Sequence, residues 1–135
     1  KPVVSIASRR IADDASLDAD LIDRQRLSQL EDIARDASFL AELIGGFMTD
    51  VDAILARTRQ AVATGNRDAL PDLMHSLKGA AVSVGATRLA ELALDLDRAH
   101  ARSDDDPGSR LSRIEACFES TSACLRRYLQ TQHSA

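Results

Sequence analysis

The stretch Leu70-Pro-Asp-Leu-Met-His-Ser-Leu-Lys-Gly-Ala-Ala-Val-Ser-Val-Gly85 decides how the chain folds. At about 100° per residue, Leu70, Leu73, Leu77, Ala80 and Val84 fall within an arc of roughly 80°, an apolar stripe at helical spacing. Pro71 suits the first turn of such a helix, where a missing N–H costs little, and Gly85 offers a C-terminal stop. His75 then lies roughly opposite the stripe, and Lys78, Gly79 and Val82 share its outer face. A Gly inside an otherwise good helix costs up to ~1 kcal/mol relative to Ala. Gly79 therefore points to close approach by something outside the helix.

The same period runs outward in both directions. Upstream, Asp36 reads as the N-cap of a long second helix carrying Leu40, Leu43, Phe47, Val51, Ile54 and Thr58 down to the Gly65-Asn66 break. Before it, a short helix from about Asp23 to Ala34, with Leu27, Leu30 and Ile33 on one side, reads as a lid. Downstream, a fourth helix is expected from about Thr87 to Arg102 with Leu89, Leu92, Leu96 and Ala99 inward, ending at the polar Ser103-Asp-Asp-Asp-Pro-Gly108 turn. A fifth begins near Ser109 and carries Leu111, Ile114, Phe118, Thr121, Leu125 and Tyr128. No alternating run of β-branched and aromatic residues appears, so the strand signal is weak. The pattern predicts an all-α domain, an antiparallel up-down-up-down four-helix bundle with an additional short N-terminal helix across one end. Residues 1–21, with their Asp13-Asp14 and Asp18-Ala19-Asp20 segments, read as a linker or disordered arm, 22–130 as the domain and 131–135 as a frayed tail.

Composition narrows the function. A chain of 135 residues has room for one ordinary domain, and a composition that is 44% hydrophobic but only 3% aromatic suits a core of packed helices. A net charge of -4 without a dense Lys/Arg run argues against nucleic acid and anionic membranes as partners. Apolar runs are far shorter than the ~20 residues a spanning helix needs, and no start resembles a secretion signal. A cytoplasmic module is expected. Its first residues, Lys1-Pro2, lack an initiator Met and suggest a piece of something longer. Cys117 and Cys124, seven apart on one helix, suit reduced structural thiols.

The chemistry centres on His75. Imidazole titrates near neutrality and offers a ring nitrogen as nucleophile at cytoplasmic pH. A phosphoryl group on the ring would bring negative charge, which Lys78 one turn away would offset, with Gly79 leaving the space open. An exposed His with a Lys at i+3 also occurs on merely solvated faces. Asp72-x-x-His75 and Asp97-x-x-His100 superficially mimic the ligand pairs of di-iron bundles, but such ligands must project inward together. His100 falls near a core stripe while His75 points outward, so no metal is expected. His100 reads as a helix-end histidine, and His133 in the tail is given no role.

The string His75-Ser-Leu-Lys-Gly79-Ala-Ala-Val-Ser-Val-Gly85-Ala86 resembles the signature of histidine-phosphotransfer (HPt) domains, His-x-Leu-Lys-Gly with a second Gly six residues on. Ile22-Asp23, Phe39-Leu40, Leu43, Phe47, Asp50, Leu89 and Leu96-Asp97 are similar to the family's lid and flanking helices, so the resemblance covers roughly 22–130. One departure is mild: the family often has Leu-Glu where Leu96-Asp97 stands. The resemblance implies a phosphoryl carrier in a two-component phosphorelay, not an enzyme in itself. His75 would be the phosphoacceptor, Lys78 the phosphate stabiliser and Gly79 the steric clearance. It implies no cofactor on this chain, with Mg²⁺ supplied by the partner receiver domain. Partners would be receiver domains of response regulators or of the same hybrid kinase, contacting the surface around His75 and Phe47 to Asp50. The module would be monomeric and sit at the C-terminal end of a bacterial hybrid sensor histidine kinase, whose parent chain can be anchored in the inner membrane. The alternative is a bundle that is never phosphorylated and serves docking or dimerisation.

Overall fold

The computed structural model describes residues 21–34, 37–103 and 106–134. They form α1 (Arg24–Ala34), α2 (Ala37–Thr64), a 3-10 turn (Arg67–Ala69), α3 (Leu70–Ser83), α4 (Thr87–Ala101) and α5 (Pro107–Ser134), with no strand among the described residues. Each long helix packs on two neighbours, α2 and α4 on both α3 and α5, which closes a four-helix bundle. The additional N-terminal helix α1 packs on α2. The expected linker, apart from Leu21, and the expected N-cap Asp36 lie outside the described residues. Leu21 itself is buried, one residue ahead of the expected domain start.

The core is aliphatic, as the composition implies. Leu27, Leu70, Leu77, Leu89, Leu96, Ile114 and Leu125 are fully buried, each worth roughly 1.5–3 kcal/mol of transfer free energy. Phe47 meets Phe118 edge to face with ring centroids 6.1 Å apart. Two threonines in the expected stripes are buried and satisfied locally. The Thr58 hydroxyl donates to the Ile54 carbonyl at 2.7 Å, and Thr121 lies 3.7 Å from the Cys117 sulfur. Cys117 and Cys124 are free and buried.

The stripes turn out slightly rotated. On α3 the buried residues are Leu70, Met74, Leu77 and Ala81, followed by Val84 at the C-cap, with Leu73 and Ala80 only partly buried. This moves the centre of the stripe by about 40°. On α2, Ile44 and Leu55 are buried where Leu43 and Ile54 were expected, and on α4 Ala93 is buried where Leu92 was expected. Ile33 is not a core residue at all: it is 74% exposed, while Leu21, Ile22 and Leu27 are the buried side chains that seat the lid. The last helix also starts earlier and ends later than expected. Asp106 caps it, its carboxylate accepting the Ser109 N–H at 3.3 Å, and Pro107 takes the first position. The helix continues to Ser134, through most of the 131–135 segment expected to fray.

Candidate functional site

The second turn of α3 presents His75. Pro71 stands at the helix start and Asp72 in the first turn, and four core contacts, Leu70, Met74, Leu77 and Ala81, fix the helix rotation. With the stripe rotated, His75 lies about 140° from its centre rather than directly opposite. The ring remains exposed, as do Lys78, Gly79 and Val82 on the same face, Val82 at 55%. Neither His75 nor Lys78 makes a side-chain hydrogen bond or ion pair among the described residues. A Cβ built on Gly79 meets nothing within 4 Å. An exposed imidazole with a cation one turn on and open space beside it is able to receive a group delivered from outside. No group of three or more His, Cys, Asp or Glu is placed to hold a metal ion among the described residues. His100 is half-buried on the last turn of α4.

Gly85, read from sequence only as a helix stop, has a larger part. It adopts φ +76°, and its carbonyl accepts the Asp23 N–H at 2.7 Å. A Cβ there would come within 3.0 Å of both Arg26 Cβ and the Asp23 carbonyl oxygen. The turn after the His75 helix is thus the seat of the lid. Asp23 also starts α1, its carboxylate accepting the Gln25 N–H at 3.0 Å and the Arg26 N–H at 3.2 Å. On the far side, the Tyr128 hydroxyl donates to Glu31, and the Arg24 guanidinium lies 6.0 Å from the Tyr128 ring centroid. The signal for this in sequence was Asp23 at an N-cap together with a Gly that needs positive φ.

One expected surface element is corrected. Phe47 is only 4% exposed and packs on Phe118, so it is unavailable to a partner, whereas Asp50 is exposed. The large exposed apolar side chains among the described residues are Ile33, Phe39 and Val82.

Comparison with known proteins bears on the same residues. The chain is similar in structure to the histidine-containing phosphotransfer protein B (HptB) from Pseudomonas aeruginosa PAO1, with a TM-score of 0.74, 22% identity and coverage of 82% of this chain and 95% of that one. It is similar to a candidate histidine-containing phosphotransfer protein from rice, with a TM-score of 0.72, 22% identity and coverage of 83% and 85%. No curated protein matches in sequence. At this identity the two structures speak for the fold alone. The Hpt domain model, by contrast, matches residues 42–129, which include α3 with His75, Lys78 and Gly79 and most of the other long helices. On that match the chain belongs to the Hpt domain family.

Proposed function

We propose that this Hpt domain carries its phosphoryl group on His75, accepting it from a receiver-domain aspartate and passing it on or back. The observation that carries the reading is the outer face of α3, where an exposed imidazole stands beside Lys78 and the open space at Gly79. In the transfer, a ring nitrogen lone pair of His75 attacks phosphorus as the acyl phosphate bond breaks, and the electron pair leaves with the receiver carboxylate. The loose transition state needs charge stabilisation and in-line positioning more than acid–base chemistry. Lys78 supplies one positive charge from this side, and the receiver's acidic cluster would hold the Mg²⁺ that would supply further charge stabilisation. Lacking a ring-binding partner of its own, His75 depends on the receiver for alignment. The same reading has the domain acting as a monomer in the cytoplasm, as the C-terminal module of a hybrid sensor histidine kinase. No helix among the described residues is long and apolar enough to cross a membrane.

The test is transfer from a phosphorylated receiver domain to the native chain and to His75→Gln, following the acid-labile, base-stable phosphoramidate by mass spectrometry. Label on the native chain alone is the expected result. Unfolding free energy should change by less than about 0.5 kcal/mol, as for surface substitutions generally. Absence of label from every receiver tried would favour the docking or dimerisation bundle.

A further inference from the structure

A second feature flanks the His75 face. Between α2 and α3, beside the turn joining them, lies a cleft of about 410 Å³ lined by Arg57, Gln60, Thr64, Asn66, Asp72 and Leu73. Its apolar floor carries a polar rim with one charge of each sign. Arg57 and Asp72 are both exposed, and although they line the same cleft neither makes an ion pair or side-chain hydrogen bond among the described residues. Asp72, in the first turn of α3, complements the positive end of that helix. No such local reason accounts for Arg57, which stands inside α2.

We infer that this cleft belongs to the surface on which the receiver docks, and that Arg57 and Asp72 select among receivers. The inference rests on His75 being the phosphoacceptor. Asp72 precedes His75 by three residues, about 4.5 Å of helix rise, and the two side chains differ by about 60° around the axis. Even a small transient interface covers on the order of 500 Å² per partner, roughly a disc 12 Å in radius. A receiver whose aspartyl phosphate reaches His75 must therefore cover Asp72 and the near rim of the cleft. Charges covered there lose water, and they are tolerated only where the partner supplies an acidic side chain opposite Arg57 and a basic one opposite Asp72. The partner that fits is a receiver carrying such a pair next to its phosphoaspartate. Receivers lacking it, or carrying the opposite signs, dock more slowly and dissociate faster.

The experiment uses the full chain with Arg57→Glu, Asp72→Lys and both together. Each is offered a panel of purified receiver domains phosphorylated by acetyl phosphate and Mg²⁺, and separately potassium phosphoramidate, which labels histidine without a protein partner. The expected result is a loss of about threefold to tenfold in transfer from some receivers and not others, a changed ranking among them, and a difference that shrinks as salt is raised. Labelling of His75 by phosphoramidate should be unchanged. Unchanged transfer from every receiver that labels the native chain would overturn the selectivity while leaving the carrier reading intact. A loss that extends equally to phosphoramidate labelling would overturn it too, because the substitutions would then act on the site or the fold. If no receiver labels the native chain, the carrier reading falls and the inference falls with it.

Discussion

Gly79 and Gly85 stand six residues apart around the end of one helix, yet their surroundings are opposite. Beside Gly79 there is nothing within 4 Å of an added Cβ, and its backbone is ordinary helix. Gly85 holds a left-handed φ and has the lid pressed against it. The fold explains one glycine completely and the other not at all. A residue that the protein's own packing leaves unexplained, beside an exposed nucleophile, is accounted for by what arrives from outside. The comparison thus separates what α3 does for the bundle, at its end, from what it does for a partner, at its middle.

The largest effect is expected at the closed glycine. Gly85→Ala forces an L-residue into the left-handed region, at about 1–2 kcal/mol, and drives a methyl against backbone and Cβ atoms that a small shift must relieve. A loss of about 2–4 kcal/mol in urea unfolding is expected, with the lid loosened first. A loss under about 0.5 kcal/mol would break the comparison. At the open glycine the sign reverses. Gly79→Ala should gain about 0.5–1 kcal/mol through helix propensity, and Gly79→Leu should slow receiver-to-His75 transfer with the fold intact. Unchanged transfer in the Leu variant would remove the clearance role. The smallest handle touches neither glycine. Burial pushes the Cys117 thiol up, against a weaker opposing pull from its bond to Thr121. A thiol whose folded value is raised contributes stability that is fully present below the unfolded thiol's ordinary value, about 8.5, and is lost as pH rises beyond it through the folded value. Stability should therefore decline in mildly alkaline solution, and Cys117→Ala should flatten that decline. An unaltered slope would place its origin elsewhere.

Much of this was legible in the sequence. Helix number, order and the outer placement of His75, Lys78 and Gly79 follow from periodicity, because a bundle helix must bury one stripe. The misses share a cause. Leu73-Met74, Ala80-Ala81, Leu43-Ile44 and Ile54-Leu55 are apolar doublets, and either member continues a three-four pattern equally well. Which one is buried depends on where the neighbouring helices lie, and that is a tertiary fact. Ile33 fails differently: periodicity marks a face but does not say how far the core extends beneath it. The start of α5 was readable, since Asp106-Pro107 is an N-cap followed by proline at the first position, but the polar run before it reads equally well as a turn. The cleft at Arg57 and Asp72 joins residues fifteen positions apart and has no local signature.

The Asp23 to Gly85 hydrogen bond also bears on the order in which the molecule assembles. It closes a loop of 62 residues (85 − 23), whereas α3 and α4 are joined by a three-residue turn and pack as a local hairpin. Distant closures pay their chain entropy before contacts reward it, and nearby ones form first. The α3–α4 hairpin should therefore belong to the folding nucleus and the lid to the final step. Substitutions at Ile22 or Leu27 should then speed unfolding while leaving the folding rate nearly untouched.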